Sequence, residues 1–440
     1  MSRMLRIDLR RSSAVGAGLL LLVLGVAAMY LPGTSWTGQW TAAVIQQREY
    51  LALLWPLGLA SGAWLVGRDR RGKVGELFAT TPRPAWQRYA PPALALALTV
   101  GCAYLLMSAA LLPLLAGRNG HLNPLIAGIV GVGTVSLVAA GLLGMAAGRL
   151  LPSPLTAPAL AVAGLLFTLL PVTGRLDGRA AAAAEALPPG IVSPFSEFAI
   201  VPAHVSAAQL IWFGGLGVTG YLLLVARDRV RRVAAVLPAV LGAAVAVPML
   251  PADPDLSAVL VADRGALEQV CTPDAPTVCV TREHLPLLAE IVGPARSALA
   301  RLSVLPDAPT TVRESTGRYT EPADRPDPAV ARYYVSLDTD GSLFQADLLE
   351  RELLDGGGTS ACRTGGELPD PERHFAARRA VAHWLAGSLP QDAEPYEAEG
   401  YGVLAALPRD EALRRVAAVR AAALRCEPDL WPVLTAGGAR

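Results

Sequence analysis

Long apolar stretches without Asp, Glu, Lys or Arg divide the first 252 residues. There are seven such runs, at residues 14–31, 50–67, 89–117, 122–148, 150–174, 199–226 and 233–252. A helix needs about 20 mainly apolar residues to cross the hydrocarbon core of a bilayer, so each run predicts a membrane-spanning helix. The first two runs lie near the lower limit of length, and the seventh, rich in Ala, Val and Pro, is the weakest.

The pattern changes after residue 252, where short apolar segments alternate with polar turns. This favours a mixed domain of helices and strands. Strands are predicted at 258–262, 277–280, 311–313 and 333–337, and helices at 285–302, 374–385 and 410–426. Gly293-Pro294 predicts a break in the first of these helices, and the GGGTS segment at 356–360 is expected to be flexible. The predicted fold class is therefore a multi-pass α-helical membrane domain with six plus one spans, followed by an extracytoplasmic α+β domain.

Composition supports the division into two halves. The chain is 52% hydrophobic and only 17% charged, with a mean hydropathy of +0.40, whereas an ordinary soluble domain carries about 25% charged residues. Up to residue 252 there are 19 Lys and Arg against 8 Asp and Glu, and from residue 253 there are 19 against 29. The abundance of Ala and Arg is typical of a GC-rich bacterial genome.

The charges of the loops predict the orientation of the spans. Cytoplasmic loops are enriched in Lys and Arg. The N-terminus and every second loop after it hold 15 cationic residues, whereas the alternate loops hold only Arg48, Arg118, Arg175 and Arg179. The protein is therefore expected in the cell membrane, with a cytoplasmic N-terminus and, after seven spans, an extracytoplasmic C-terminal domain. The first run is longer than the apolar region of a usual signal peptide, which favours an uncleaved anchor.

The loop between the second and third runs, RDRRGKVGELFATTPRPAWQR at residues 68–88, contains a short amphipathic segment. Val74, Leu77 and Phe78 are spaced as one apolar stripe on a helix, and six cationic residues surround them. A few apolar anchors ringed by charge suit docking to a protein. The same pattern also fits an interfacial helix whose arginines contact anionic lipid.

These features together resemble the membrane subunit of ABC-2-type ABC transporters. The stretch GKVGELFATTPRPAWQRYA is the most similar to that family. In the family this loop is a coupling helix that docks into a separate cytoplasmic ATPase. The resemblance implies that Val74, Leu77 and Phe78 would face that partner, while Glu76 and Arg83 would supply polar contacts.

The resemblance covers residues 1–232, so the seventh helix at 233–252 and the domain at 253–440 are additions to the family pattern. It implies a homodimer, or pairing with a similar permease, on two ATPase subunits that hold ATP and Mg. No cofactor is expected in this chain, because the phosphate-loop motif G-x-x-x-x-G-K-[ST] is absent and Lys73 lacks its glycine spacing. The chain itself is therefore not expected to be an enzyme.

Four of the five cysteines lie in the predicted extracytoplasmic domain. An even number of cysteines on the oxidising side of a membrane suggests disulfides. Three connectivities are possible, of which we favour Cys271–Cys279 and Cys362–Cys426; four free thiols are the alternative. Cys102 lies in the third run and is expected to be a buried small apolar side chain.

Candidate catalytic chemistry is sparse. His374 and His383 are nine residues apart and would point to opposite faces of one helix, so they cannot share a metal there. The motifs H-E-x-x-H and G-x-S-x-G are absent, and no metal site is predicted. His284, beside Glu283, is expected at a strand end or a helix cap. An acidic external domain also makes nucleic-acid binding improbable.

Two remaining features concern the spans themselves. Gly128, Gly131, Gly141 and Gly144 in the fourth run allow close approach of helices, either within the chain or in a dimer. The segment between the fifth and sixth runs is predicted to be an Ala-rich helix that ends at Pro188-Pro189-Gly190.

Three functions fit this sequence. The favoured one is the permease subunit of an ABC-type exporter. The alternatives are a membrane-anchored receptor or assembly scaffold that presents the external domain, and an ectodomain hydrolase.

Overall fold

The computed structural model describes ten segments of the chain, which are residues 13–30, 39–71, 84–115, 121–169, 178–190, 198–251, 260–317, 326–338, 341–362 and 368–436. The chain divides into two compact units. The first comprises residues 1–117 and 122–262, and the second comprises residues 118–121 and 263–440. The boundary predicted at residue 253 lies outside the described residues.

The described part of the first unit is almost entirely helical. Its helices are α1 (Ser13–Met29), α2 (Trp40–Glu49), α3 (Leu51–Arg71), α4 (Ala85–Ala109), α5 (Leu112–Leu115), α6 (Ile126–Leu150), α7 (Thr156–Leu169), α8 (Gly178–Ala186), α9 (Ala203–Val225), α10 (Arg229–Ala234) and α11 (Leu237–Met249). One small antiparallel pair joins β1 (Ala199–Ile200) to β2 (Val261–Ala262).

Several of these helices have the length and composition of membrane spans. Within the described segments, four stretches meet both criteria. They are α4 (Ala85–Ala109), α6 (Ile126–Leu150), α9 (Ala203–Val225) and Arg229–Met249, which comprises α10 and α11. A fifth follows if α2 and α3, which meet at a bend of 47°, form one span. The first and fifth apolar runs form the shorter helices α1 and α7. The first unit therefore has the helices of a membrane protein.

Helix α6 lies at the centre of the first unit, packed against α3, α4 and α9. Glycines allow this close packing, because a Cβ atom added at Gly144 would overlap the Leu59 carbonyl oxygen, and one at Gly62 would overlap that of Gly141. Gly131, by contrast, has no atom within 4 Å of an added Cβ. Gly141 and Gly144 thus serve packing within the chain.

Two G-x-x-x-G motifs face each other at this contact. They are Gly58–Gly62 on α3 and Gly144–Gly148 on α6, and an added Cβ at Gly148 would meet the Ala63 backbone. Neither motif is among the sequence predictions, which concern the glycines of the fourth run. Small residues at this spacing let two helix backbones approach closely.

The second unit contains a mixed four-stranded sheet. Its strands are β3 (Gln269–Cys271), β4 (Thr277–Thr281), β5 (Thr311–Glu314) and β6 (Val330–Tyr333). They are arranged in the order β3-β4-β5-β6. The β3–β4 pair is an antiparallel hairpin, while β4–β5 and β5–β6 are parallel. Parallel neighbours require a crossover connection, which between β4 and β5 is a helix.

Helices cover this sheet and close the core of the second unit. They are α12 (Arg264–Leu267), α13 (Leu288–Leu302), α14 (Ala346–Leu354), α15 (Pro371–Ala386), α16 (Pro395–Ala405), α17 (Arg409–Leu424) and α18 (Trp431–Thr435). Asp370 caps α15 by accepting a hydrogen bond from the Arg373 amide, and Gly387 ends it with a φ of 78°. Val278 and Val312 of the sheet and Ile291 and Leu302 of α13 belong to the common core.

Two local predictions for this unit are wrong. Helix α13 continues through Gly293-Pro294. A proline inside a helix costs about 3 kcal/mol, but Ile291, Ala298 and Leu302 on one face of α13 are buried in the core, and this burial outweighs the local preference. The last strand, predicted at 333–337, is β6, which ends at Tyr333.

The glycine segment 356–358 is a buried turn, although it was expected to be flexible. Gly356, Gly357 and Gly358 have φ angles of 56°, 72° and 80°, which favour glycine. A Cβ at Gly356 would lie 2.8 Å from Cζ of Arg378. The glycines are therefore required by the left-handed backbone and by the close approach of a buried arginine.

Candidate functional site

The predicted coupling residues lie outside the described part of the chain. Val74, Glu76, Leu77, Phe78 and Arg83 all belong to residues 72–83. Helix α3 precedes this segment and α4 follows it, so its ends belong to two helices of the first unit. The assignment of these residues remains a prediction.

Both predicted disulfides are present in the second unit, and each has a distinct place in the fold. Cys271–Cys279 closes the β3–β4 hairpin, where the two cysteines are directly opposite each other. Cys362–Cys426 joins the segment after the glycine turn to the end of α17. Disulfides persist in oxidising compartments. The fifth cysteine, Cys102, is exposed on the surface of α4. Its predicted burial is therefore wrong, because Cys102 lies on the side of α4 that faces away from the helix bundle.

The candidate functional site is a polar cluster inside the first unit, which we call the inner polar cluster. It consists of Arg48 and Gln47 on α2, Tyr104 and Ser108 on α4, and Ser206 and Gln209 on α9. Sequence reasoning assigned Arg48 to a loop, but the structure has it on α2 with 0% of its surface exposed. The sequence signal was a charged residue two positions before an apolar run.

Arg48 is only partly satisfied by hydrogen bonds. Its Nε donates to the Pro189 carbonyl oxygen at 3.2 Å. Its Nη1 and Nη2 atoms are buried and have no hydrogen-bond partner among the described residues. A buried charge that lacks partners costs several kcal/mol. Arg48 therefore has two donors available for an anionic or carbonyl group.

Neighbouring polar groups form the rest of the inner polar cluster. Gln47 donates from Nε2 to the Tyr104 carbonyl oxygen at 3.1 Å and accepts from the Ser108 hydroxyl at 2.9 Å. Gln209 donates to the Ala186 carbonyl oxygen at the end of α8. Arg48 and Gln209 thus hold α8 and the turn that follows it from two different helices.

Other groups in the inner polar cluster also remain unsatisfied. The Tyr104 hydroxyl, Oε1 of Gln209 and the Ser206 hydroxyl are buried without a hydrogen-bond partner in the described segments. Buried polar groups in proteins are nearly always paired, and each exception requires an explanation. Three helices that pack on a central glycine-rich helix therefore carry unsatisfied donors and acceptors into the interior of the bundle.

Buried arginines in the second unit are bonded more completely. Arg420 donates to the carbonyl oxygens of Gly357, Asp307 and Pro328, and burial lowers the pKa of its guanidinium. Arg378 donates to a carboxylate oxygen of Asp355 at 2.9 Å and to the Thr359 carbonyl oxygen. These two side chains hold the glycine turn and have a structural role.

The histidines of the second unit also serve its packing. His284 follows β4 at the N-cap of a short 3₁₀ helix, where its Nδ1 lies 2.7 Å from Oε1 of Glu314. His383 pairs with Glu397 of α16 at 3.2 Å.

His374, on the same helix as His383, donates from Nδ1 to the Pro428 carbonyl oxygen. Burial, as the largest cause, lowers its pKa. His374 and His383 thus contact different elements.

Metal chemistry has no candidate in the described segments, where no group of three or more His, Cys, Asp or Glu could hold an ion. Comparison with family models, with curated proteins and with solved structures finds no match to this chain. Function is therefore inferred from the chemistry of the two units.

Proposed function

We propose that the chain is the membrane permease subunit of an ABC-type transporter, most similar in plan to the ABC-2 type and working as an exporter. The inner polar cluster is the observation that carries this proposal. A bundle that only anchors an external domain needs apolar helices and has no use for a buried arginine with unpaired donors. A permease needs polar groups inside its bundle to receive a substrate.

The proposed topology has six spans with both ends in the cytoplasm and a seventh that carries the chain outward. The seven apolar runs, the fifteen cationic residues on one side against four on the other, and the two disulfides support it. The second unit would then be extracytoplasmic, where it would gate, receive or shield the substrate.

Energy for transport would come from a separate cytoplasmic ATPase, which would hold the ATP and Mg. The proposed contact is the loop at residues 68–88, with Val74, Leu77 and Phe78 as apolar anchors and Glu76 and Arg83 as polar contacts. Two copies of the chain, or one copy and a similar permease, would pair with two ATPase subunits.

Co-purification tests this coupling. The tagged full-length chain is expressed together with its neighbouring genes and purified in mild detergent, as wild type and as Leu77→Asp/Phe78→Asp. We expect an ATPase to co-purify with the wild type and to be lost from the variant, because two carboxylates replace the apolar anchors.

The matched control is Ala79→Asp/Thr80→Asp, which adds the same charges to the same loop outside the apolar stripe. It should retain the ATPase. If no ATPase accompanies the wild type, or if both variants bind it as well as the wild type does, the loop is not a coupling element. The function would then be sought in the second unit as a receptor or scaffold.

A further inference from the structure

A cavity of about 400 Å³ lies at the end of the first unit where α9 finishes and α4 begins. Its lining comes from the start of α4, the end of α9 and the region of α10, and consists of Pro84, Ala85, Trp86, Leu222, Val225, Ala226, Arg227, Arg231, Ala234 and Ala235. The inner polar cluster contributes no residue to it, and the permease proposal does not use it.

The lining combines two chemistries. Arg227 and Arg231 supply positive charge, while Leu222, Val225 and the alanines supply an apolar wall. Guanidinium groups bind phosphate oxygens through pairs of parallel hydrogen bonds. A ligand that suits this cavity therefore has an anionic phosphate group attached to an apolar body.

The surroundings of the cavity are typical of a lipid–water interface. On α10, Val230 is 79% exposed and Val233 is 74% exposed, next to the exposed Arg229, Arg231 and Arg232. A short helix that exposes both valines and arginines suits a position with its apolar side in lipid and its charges among head groups. Trp86, which is 56% exposed, is the residue type enriched at that level of a membrane.

We propose that this cavity binds an anionic phospholipid, with its phosphate between Arg227 and Arg231 and the start of an acyl chain against Leu222 and Val225. Asp228 is the competing carboxylate, since it caps α10 and lies 3.3 Å from Nε of Arg231. Both partners of that pair are more than half exposed, and exposed ion pairs are weak, so a phosphate displaces it. This inference stands whether or not the chain is a permease.

Native mass spectrometry of the full-length protein tests the site. The protein is purified in detergent containing equal amounts of phosphatidylglycerol and phosphatidylcholine, and the retained lipids are counted. We expect the wild type to retain phosphatidylglycerol preferentially. Arg227→Gln/Arg231→Gln should lose this preference, with about a fivefold loss of relative affinity for each arginine removed.

The matched control is Arg229→Gln/Arg232→Gln, which removes the same charge from the same short segment, residues 227–232, but from residues that do not line the cavity. It should keep the preference. Arg227→Lys/Arg231→Lys should keep most of it and guards against misfolding of the glutamine variant. Equal losses in the lining and control variants, or no preference in the wild type, would overturn the proposal.

A second arm distinguishes a lipid from free phosphate. Excess inorganic phosphate is added before ionisation, and phosphatidylglycerol should stay bound because its acyl chains contribute to binding. Displacement by inorganic phosphate would overturn the lipid assignment and would leave a site for a free anion.

Discussion

Arg420 and Arg48 are both buried, but their hydrogen bonds differ. Arg420 donates to three backbone carbonyl oxygens and holds the glycine turn to α17. Arg48 donates to one carbonyl oxygen and has two nitrogen atoms without partners in the described segments. Both terminal nitrogen atoms of Arg420 are bonded and only its Nε lacks a partner in the described segments, whereas both terminal nitrogen atoms of Arg48 lack one. Arg420 thus has a structural role, and Arg48 is the arginine that we propose for ligand binding.

Replacing Arg420 by Met should destabilise the second unit by about 3 kcal/mol or more, because the three carbonyl oxygens would lose their buried donors. Hydrogen exchange of α17 in the full-length protein would measure this as faster exchange. Arg414→Met on the same helix removes a side chain that is 71% exposed, and a surface change of this kind stays within about 0.5 kcal/mol. Equal effects of the two substitutions would contradict the structural role of Arg420.

At the scale of elements, the contact between α3 and α6 depends on paired small residues. An added Cβ at Gly62 on α3 would overlap the Gly141 carbonyl oxygen of α6, and one at Gly144 on α6 would overlap the Leu59 carbonyl oxygen of α3, so neither position has space for a Cβ atom. The hydrophobic effect contributes little to the association of helices inside a bilayer, so close packing of the backbones has to stabilise the contact between α3 and α6. The central position of α6 makes this contact important for the whole first unit.

Gly144→Ala should therefore separate the two helices and destabilise the first unit by about 1–3 kcal/mol, the usual cost of overpacking. Thermal unfolding of the detergent-solubilised protein would show a lower midpoint. Gly131→Ala, on the same helix where an added Cβ meets no atom within 4 Å, should leave the midpoint unchanged or raise it slightly. A lower midpoint for Gly131→Ala alone would show that the close packing lies elsewhere.

The two disulfides constrain very different lengths of chain, 8 residues for Cys271–Cys279 and 64 for Cys362–Cys426. Loop entropy predicts a loss of stability of about 2.5 kcal/mol when the short bridge is removed and about 4 kcal/mol for the long one. Double Cys→Ser variants of each pair, compared by denaturant unfolding of the full chain, test this order. A larger loss of stability on removing Cys271–Cys279 than on removing Cys362–Cys426 would contradict this expectation. The hairpin disulfide would then stabilise the fold by more than loop entropy accounts for.

Element-level features differed in how well the sequence predicted them. Apolar runs such as 122–148 and 199–226 predicted α6 and α9, because the length of a span is encoded locally. The favoured disulfides were also confirmed. The short turn between Cys271 and Cys279 pairs these two cysteines locally, which leaves Cys362 and Cys426 for each other. The helical path through Gly293-Pro294 depends on burial against a sheet that is distant in sequence, and local preference therefore gave the wrong answer.

The inner polar cluster was harder to predict from sequence. Arg48, Tyr104 and Gln209 are far apart along the chain, and each is unremarkable alone. Their meeting depends on how α2, α4 and α9 pack around α6, which hydrophobic periodicity does not specify. The glycine turn at 356–358 was also misjudged, because composition alone does not distinguish flexible glycines from glycines required by a left-handed backbone.

At the scale of the whole molecule, the two units have different physical characters. The first contains long apolar helices, an interior with polar groups, and arginines at the end of α9. The second has a sheet, two disulfides and an acidic surface. The proposed permease with an external domain would account for both units. If this proposal holds, the inner polar cluster changes its environment when a partner ATPase turns over.

The rate at which a cysteine at position 206 reacts with a maleimide tests this expectation. Ser206→Cys is made in a Cys102→Ser background, purified with its ATPase in nanodiscs, and reacted with a small maleimide without nucleotide and with ATP and vanadate. We expect the labelling rate at position 206 to differ between the two states. Thr219→Cys, buried on the same helix beside α11, should label equally slowly in both. Identical rates at position 206 in both states would contradict the account.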